Sequence, residues 1–441
     1  EISECLVGSE MCIRDRYGQY VRSPCTRDTN SFIWTTAERR ASAAQNKKPC
    51  PGMSKLKNEF IEVAVAPELG GRIMEFSLSG RNFLFENPLL KGAENVQPTG
   101  AWDGKWLNYG GEKIWPAPQG WNDPEREWGG PPDPFIDGGR FEVLAEGENF
   151  IEIASPVEPR SGVRISRKIE ILEGQSRAKI SAKLFNRSGK AKRWSLWPVA
   201  QMAQTSENCE ASVPVGGSGW KIMHGLANNP QYVCDGGILR VKYMRIVGKA
   251  GALAPAGWTA FGDLANGRLF AASFKFDPSA EYPDSASVQI WTSGEGAIYS
   301  RNALRIFGAS GPDNPPYTEL EILSPLAEIP PGGSAGFEYF LGGCEVAKGE
   351  SVHSVSGECA VTARLQKDGD GGFKFSAGFF KEGEIEIAAF SETSETPLLR
   401  KKCSPVSPVC ARGEIPRGAR LLTAKFFDNS GNPSTIDTIK L

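Results

Sequence analysis

The stretch FIEVAVAPELGGRIMEF, residues 60–76, carries the pattern that decides the fold. Ile61, Val63 and Val65 fall on one side of an extended chain and the residues between them fall on the other, because successive side chains of a β-strand point to opposite faces. The stretch therefore predicts a β-strand, and it is the first clear periodic pattern along the chain.

The same alternation recurs throughout the sequence in short segments separated by Gly, Pro, Asn and Asp, at spacings of about 10 residues. Examples are FEVLAEG, NFIEIASPV, VRISRKIEIL, RAKISAKLFN, GILRVKYM, RLFAASFKF, SVQIWTSG and YTELEIL. Short strands at this spacing are typical of antiparallel sandwiches or barrels and not of βαβ units. No stretch indicates an amphipathic helix of three turns or more, so the sequence predicts an all-β protein.

A domain boundary is predicted near residues 345–357. The segment SPLAEIPPGGSAGFEYFLGG before it indicates a turn and a closing strand, and several short alternating segments follow it. Residues 53–345 are then one large β domain, and residues 357–441 have the size of a small accessory β-sandwich.

The N-terminal residues 1–52 show neither helical nor strand periodicity, and they contain no basic segment followed by an apolar one. The string CLVGSEMCIRDR resembles translated sequencing-adapter read-through, so residues 1–52 are predicted to be a non-native or disordered leader, with the natural start near Met53. Without a signal peptide the expected compartment is the cytoplasm. A signal lost from the sequence would make it the periplasm or the exterior.

Composition excludes several classes of function. The chain has 50 Lys and Arg against 52 Asp and Glu, a net charge of -2, which is no electrostatic footprint for nucleic acid or a membrane surface. No apolar run is long enough to span a bilayer. The ten cysteines include no C-x-x-C pair and the chain holds two histidines, so no metal site and no cofactor are predicted.

The segment of residues 101–143 has the highest density of candidate functional residues. It holds five of the eleven tryptophans, and Gly and Pro interrupt it so often that no continuous strand or helix is predicted. Long irregular segments in compact domains are usually functional, and an indole face suits the C–H face of a sugar ring. A single tryptophan more often plugs the end of a sandwich, but the cluster as a whole favours a binding site. These tryptophans are Trp102, Trp106, Trp115, Trp121 and Trp128.

Five motifs resemble a bacterial family of uncharacterised galactose-mutarotase-like domains. They are APELGGRIMEFSLSGRNFLFENP, NYGGEKIWPAPQGW, PPDPFIDGGRFEV, WPVAQ and YTELEILSPLAEIPPGGS, which together span roughly residues 56–345. The resemblance implies a large two-sheet β-supersandwich shared with aldose 1-epimerases. It does not settle function, because one fold hosts many chemistries.

The comparison with true mutarotases fails at the catalytic acids. The resemblance calls for two histidines, since general acid–base work at neutral pH needs a group that titrates there. Asn108 and Tyr109 stand where the first histidine is expected, and Trp197 stands where the second is expected. His224 and His353 lie elsewhere and are predicted to be ordinary loop histidines.

The late glutamate of the mutarotases has two candidates. Glu319 and Glu321 alternate with apolar residues in YTELEIL, so both carboxylates point to one face of a strand, about 7 Å apart. They fit either a solvent-facing acidic edge, which is commoner, or acid–base work on a sugar. The predicted polar contacts to a ligand are Arg72, Lys113, Gln119 and Asp137.

The favoured function is carbohydrate recognition in a Trp-lined cleft, contacted by Arg72, Asn108, Tyr109, Lys113, Trp115, Gln119, Trp121, Asp137 and Trp197. The alternative is a sugar epimerase or glycan-cleaving enzyme that uses Glu319 or Glu321 as general base, with Lys113 or Tyr109 in place of histidine. A purely structural or assembly role has no positive support. The expected partner is a carbohydrate, and neither nucleic acid nor a membrane is expected.

Overall fold

The computed structural model describes residues 52–91, 106–120, 128–217, 219–300, 303–311, 314–369 and 371–441. It also describes two short paired strands near the N-terminus, β1 (Ile13–Arg14) and β2 (Tyr20–Val21). The chain divides into two compact units, Glu1–Pro49 and Cys50–Leu441. The predicted leader, residues 1–52, otherwise lies outside the described residues except for Gly52, and its non-native origin stays a prediction.

The prediction of an all-β fold is confirmed. Within the described residues, every regular element is a β-strand apart from two 3-10 turns of three residues, Pro67–Leu69 and Pro283–Ser285. All strand pairings inside the sheets are antiparallel, as expected for segments joined by short turns.

The first large sheet has ten strands. In spatial order they are β15 (Tyr232–Asp235), β16 (Ile238–Lys242), β13 (Cys209–Pro214), β18 (Trp258–Asp263), β19 (Arg268–Phe274), β25 (Ser334–Glu345), β11 (Arg177–Asn186), β10 (Val163–Ile171), β9 (Phe150–Ala154) and β8 (Glu142–Glu146).

The second large sheet has eleven strands and carries the candidate site. Its order is β14 (Trp220–Gly225), β17 (Gly248–Ala252), β20 (Val288–Thr292), β23 (Tyr317–Ile322), β12 (Lys192–Ala203), β7 (Glu112–Ala117), β5 (Arg72–Leu78), β4 (Ile61–Ala66) and β3 (Ser54–Lys57). β24 (Ala327–Ile329) also pairs with β12, and β6 (Arg81–Asn82) with β5. A separate hairpin is formed by β21 (Gly296–Ser300) and β22 (Ala303–Phe307).

The main core contains apolar residues of both large sheets. Ile114 and Leu320 of the eleven-stranded sheet belong to one buried cluster with Ile180 and Phe270 of the ten-stranded sheet. A polar group is also buried on this side. The carboxylate of Glu112 accepts hydrogen bonds from Arg167 and from the Tyr339 hydroxyl, the latter at 2.7 Å. Because side chains alternate along a strand, the opposite face of the eleven-stranded sheet carries the residues in between.

The C-terminal strands form two four-stranded sheets of their own. One consists of β26 (Ser354–Val355), β27 (Cys359–Asp368), β28 (Gly372–Phe379) and β31 (Val409–Glu414), and the other of β30 (Glu395–Cys403), β29 (Gly383–Phe390), β32 (Leu421–Asp428) and β33 (Pro433–Lys440). They share an apolar cluster that includes Phe373 and Ile387. The gap between β25 and β26 falls inside the predicted boundary, and the division into domains at 53–345 and 357–441 stays a prediction.

The Trp-rich segment holds a strand that the sequence did not predict. Glu112–Ala117 forms β7, and all six of its residues are buried. Pro116 was taken as an interruption, but beyond Glu112 the strand pairs with β12 alone. A residue without an N–H is tolerated where a strand has a neighbour on one side only, so the proline does not break β7.

Candidate functional site

The face of the eleven-stranded sheet that points away from the core is polar. The register aligns Val199 with both Lys113 and Glu321, and Glu321 with Gln289, so these positions share one face. The charged, amide and indole side chains on that face include Lys113, Trp115, Trp197, Gln201, Lys221, Lys249, Gln289, Trp291, Glu319 and Glu321.

Glu321 is held by two neighbours. Its Oε2 lies 2.9 Å from Nζ of Lys249 and accepts a hydrogen bond of 2.8 Å from Nε1 of Trp197. The other carboxylate oxygen, Oε1, is buried and makes no hydrogen bond with the described residues. Burial raises the pKa of Glu321, Lys249 lowers it and Glu319 raises it further, with a net rise. The Lys249 ammonium also lies 4.7 Å from the centre of the Trp197 ring.

Glu319 has a different set of neighbours. Its Oε1 lies 3.2 Å from Nζ of Lys113 and accepts a hydrogen bond of 2.8 Å from Nε2 of Gln201. The Lys113 ammonium stacks 4.6 Å from the Trp115 ring centre. Burial lowers the pKa of Lys113, and Glu319 opposes that shift in part. Lys113 is 1% exposed and Glu319 is 8% exposed, so this pair is largely covered by protein.

Arg72 and Asp137 form a third buried pair. Nη2 of Arg72 lies 2.6 Å from Oδ1 of Asp137, and both side chains are fully buried. The same carboxylate accepts hydrogen bonds from the indole N–H groups of Trp106, at 2.9 Å, and Trp115, at 3.1 Å. Arg72 and Asp137 were predicted as separate contacts to a ligand, and the structure makes them partners of each other.

A cavity of about 440 Å³ lies beside the Glu321 pair. Its volume is within the range of roughly 300–1,000 Å³ that small-molecule sites occupy. It is lined by Ala117, Gln119, Trp197, Lys221, Ile222, Met223, His224, Lys249, Asp284, Gln289 and Leu323. The lining combines an aromatic ring and aliphatic carbons with amide, ammonium, imidazole and carboxylate groups.

Gln289 is the most informative residue of the lining. It is 2% exposed and borders the cavity, yet its amide makes no hydrogen bond with any residue in the described part of the chain. Its amide atoms are not among the enclosed side-chain atoms that lack a partner, so the amide is open to the cavity. An amide without a protein partner beside a cavity can hydrogen-bond a polar ligand or ordered water.

His224 corrects one prediction. It was expected to be an ordinary loop histidine, but it lies on β14 and lines the cavity. Burial and the nearby Lys249 lower its pKa below the ordinary value of 6.5, while Asp284 and a hydrogen bond with the main chain of Tyr299 oppose the shift. His353 lies between β25 and β26, as predicted.

The predicted site residues are only partly brought together. Trp197 and Gln119 line the cavity, whereas Trp115 packs edge-on against Trp197 with ring centres 5.4 Å apart. Tyr109 is buried at 3% exposure in a separate small apolar cluster. The Asn108 side chain accepts a hydrogen bond from the N–H of Gly110 and so stabilises a local turn.

Of the remaining predicted tryptophans, Trp102 and Trp121 fall outside the described residues. Trp128 is buried against Trp115, with ring centres 5.1 Å apart, and Trp106 is partly buried beside the main core. Among the described tryptophans, Trp197 lines the cavity, and the predicted Trp-lined cleft stays a prediction.

Sequence reasoning missed Lys249, Gln289, Lys221 and Asp284. Two of them had a signal. Lys249 is the single charged residue of VGKAGA, and Gln289 is a lone amide between the apolar residues of SVQIW. A polar residue inside an apolar strand pattern indicates a buried polar partner or a site. Lys221 and Asp284 had no such signal.

The described residues contain neither a cluster of metal-ligating side chains nor a membrane-spanning helix. In that part of the chain there is no group of three or more His, Cys, Asp or Glu side chains that could hold a metal ion. No helix there is long and apolar enough to cross a membrane.

Comparison with known proteins gives the family. The chain belongs to the family described as "Domain of unknown function (DUF4380)", whose model matches residues 53–304. The comparison with curated proteins gave no match.

Solved structures similar to this chain include a galactose mutarotase-like protein from Lactobacillus casei, at 9% identity and a TM-score of 0.43, covering 66% of this chain and 100% of that one. A galactose mutarotase related enzyme from Lactobacillus acidophilus is also 9% identical, with a TM-score of 0.41 and coverage of 66% and 97%. The Slr1438 protein from Synechocystis is 12% identical, with a TM-score of 0.43 and coverage of 68% and 97%.

Proposed function

We propose that the cavity beside Trp197 binds a carbohydrate and that carbohydrate recognition is the function of this protein. The observation that carries the proposal is the Gln289 amide, which borders the cavity and makes no hydrogen bond with the described residues. A ligand with hydroxyl groups satisfies both its N–H donors and its carbonyl acceptor.

The rest of the lining fits the two-sided character of a sugar. A pyranose ring has an apolar C–H face, which packs on aromatic or aliphatic carbon, and a rim of hydroxyls, which need several fixed donors and acceptors. Trp197, Met223 and Leu323 supply carbon surface, whereas Gln119 and Gln289 supply amides.

Recognition is favoured over catalysis by the position of the acids. Glu321, the candidate general base, is 1% exposed and does not line the cavity, whereas its partners Trp197 and Lys249 do. A general base must reach the proton that it removes, directly or through one water. Glu319 is paired with Lys113 and is also absent from the cavity lining.

The alternative function is a sugar epimerase or glycan-cleaving enzyme with Glu321 as base. Two observations favour it, namely the pKa of Glu321, which burial raises, and its Oε1 atom, which no described residue satisfies. Polarimetry on freshly dissolved glucose and galactose separates the two functions. A rate of mutarotation that the protein accelerates, and that Glu321→Gln abolishes, would replace recognition by catalysis. The cytoplasmic compartment and the absence of a nucleic-acid partner stay predictions.

The direct test is calorimetric titration of the protein with a panel of neutral, amino and acidic monosaccharides and their disaccharides. The Gln289→Leu variant is compared with wild type, and Gln366→Leu, the same change at an exposed position of β27, is the matched control. We expect Gln289→Leu to keep the melting temperature near that of wild type, because no described residue loses a hydrogen bond, and to weaken sugar binding at least about tenfold. Unchanged binding by Gln289→Leu, or a wild type that binds no sugar, contradicts the proposal.

A further inference from the structure

The turn at the cavity rim has an unusual backbone. Asp284 has φ 53° and ψ 22°, and the next residue, Ser285, has φ 52°. Both lie in the left-handed region, where the side chain of an L-residue crowds the following carbonyl. Asp284 and Ser285 are the central residues of a turn closed by the hydrogen bond from the N–H of Ala286 to the carbonyl of Pro283, at 3.0 Å. This is the type I′ arrangement, which favours Gly, Asn and Asp at its central positions. Glycine is the residue that relieves such strain, and the chain has Asp and Ser instead.

The surrounding structure holds the turn in place. The N–H of Ser285 donates to the carbonyl of Tyr282 at 3.0 Å, and the N–H of Leu326 donates to the carbonyl of Glu281 at 2.8 Å. The Tyr282 ring is buried and stacks on Phe276 with ring centres 5.4 Å apart. A strained conformation persists where its surroundings determine it this firmly, and such positions cluster at ligand-binding sites.

The strained turn places a charged group beside the cavity. Asp284 lines the cavity, its carboxylate makes no hydrogen bond or ion pair with the described residues, and it acts electrostatically on His224. The cavity also borders Lys249, but that ammonium is already paired with Glu321 at 2.9 Å. Asp284 is the one carboxylate among the described lining residues, beside the ammonium groups of Lys221 and Lys249, and it is exposed at the cavity rim.

We propose that Asp284 is the specificity-determining residue of the cavity, and that its carboxylate accepts the hydroxyl protons of two neighbouring hydroxyls on a neutral sugar. The inference rests on the proposed function and names its ligand class. An ionised carboxylate accepts two hydroxyls at once, and it repels the carboxylate of an acidic sugar.

The test measures affinity and stability separately. Wild type and the variants Asp284→Gly, Asp284→Asn and Ser285→Gly are titrated calorimetrically with D-galactose, D-glucose, D-mannose and D-glucuronate, and the melting temperature of each is recorded without sugar. Asp284→Gly removes strain and the carboxylate. Asp284→Asn tolerates the left-handed conformation and removes only the charge. Ser285→Gly is the matched control, since it removes the same strain at a residue that does not line the cavity.

We expect both glycine variants to melt about 1–3 °C higher than wild type. Asp284→Gly should weaken binding of the neutral sugar by about 10- to 100-fold, the effect of losing a hydrogen bond to a charged group, while Ser285→Gly keeps wild-type affinity. Asp284→Asn should weaken the neutral sugar and not D-glucuronate. Wild-type affinity in Asp284→Gly, or tighter wild-type binding of D-glucuronate than of the neutral sugars, overturns this inference alone. A wild type that binds none of the four sugars overturns the proposed function with it.

Discussion

Two halves of one polar face behave differently in this protein. The closed half consists of Arg72, Asp137, Trp106, Trp115, Lys113, Glu319 and Gln201, and in it each carboxylate meets a cation and an N–H donor. The open half consists of Lys249, Trp197 and Gln289, which line the cavity, and of Glu321, which Lys249 and Trp197 contact. It contains a buried carboxylate oxygen without a partner among the described residues and the Gln289 amide beside the cavity.

The difference teaches that the number of buried charges does not locate a site. Each half holds a lysine paired with a glutamate of the same strand, β23, and Glu319 and Glu321 are two residues apart. Both halves hold buried atoms without a hydrogen-bond partner among the described residues, namely Arg72 Nε and Gln201 Oε1 in the closed half and Glu321 Oε1 in the open half. What separates the halves is that the open half borders a cavity, where a ligand or ordered water can complete its hydrogen bonds.

The largest effect is expected in the closed half. Arg72→Ala leaves the Asp137 carboxylate buried without its cation, and breaking such a pair typically costs about 3–5 kcal/mol of unfolding free energy. We expect a large fall in the denaturant midpoint, measured by chemical unfolding, and unchanged sugar affinity in the protein that remains folded. The double variant Arg72→Leu with Asp137→Leu should recover part of the loss. A near-normal midpoint for Arg72→Ala with lost affinity would move Arg72 into the binding site.

The next largest effect is the loss of unfolding free energy on substitution of Glu319 or Glu321. Glu319→Gln leaves Lys113 charged and covered by protein, so we expect a loss of about 2–4 kcal/mol. Glu321→Gln leaves Lys249 beside the cavity, where water can solvate it, and the new amide oxygen can still accept from Trp197, so we expect a smaller loss, about 1 kcal/mol. Chemical unfolding of both variants measures the two losses. Equal losses would mean that the halves are equally closed to solvent.

The fold was largely predictable because each strand carries its own alternating pattern. RAKISAKLFN corresponds residue for residue to β11, and VRISRKIEIL exceeds β10 by one residue. β7 was not predictable, since the tolerance for Pro116 depends on β7 having a partner on one side only. That is a property of the sheet and not of the segment.

The site was predictable in its residue types and not in its partners. The pattern of YTELEIL places Glu319 and Glu321 on one face, but only the register of β23 with its neighbours decides which lysine meets which glutamate. Lys249 and Gln289 come from strands distant in sequence from the Trp-rich segment. Asp284 lies in a turn with a left-handed backbone, and the sequence has no glycine there that would predict this conformation.

Substitutions of Trp115 and Trp197 are expected to have smaller effects, on stability for the first and on sugar affinity for the second. Trp115→Phe removes a hydrogen bond to Asp137 in the closed half, and we expect it to lower the unfolding free energy by about 1–2 kcal/mol without changing sugar affinity. Trp197→Phe keeps a ring beside the cavity but reduces its area and releases Glu321, and we expect affinity to fall by about 1 kcal/mol or more. Calorimetric titration and thermal melting of both variants test the contrast. Loss of affinity in Trp115→Phe alone would reverse the assignment of the halves.

The smallest effect is a pH dependence from His224. Burial and Lys249 lower its pKa below 6.5, so between the two pKa values the unfolded chain binds the proton more readily than the folded protein. The unfolding free energy should therefore fall as the pH drops below about 6.5. Thermal melts from pH 7.5 to 5.5 should show a shallower fall for His224→Gln than for wild type. An identical pH profile would mean that His224 titrates normally in the folded protein.

His353→Gln is the matched control for that measurement. Burial also lowers the pKa of His353, so its removal should reduce the pH dependence of the melting temperature as well. His353 does not line the cavity, and its variant should keep wild-type sugar affinity at every pH. Lost affinity in His353→Gln would place a ligand contact outside the open half.

The central claim is that the open half is a carbohydrate site, and the measurement that tests it most directly is a crystal structure of the protein with the sugar that titrates most tightly. The account predicts a sugar ring in the cavity against Trp197, with hydroxyls within hydrogen-bond distance of the Gln289 amide and the Asp284 carboxylate. A sugar bound at another surface, with the cavity holding only water, would contradict it.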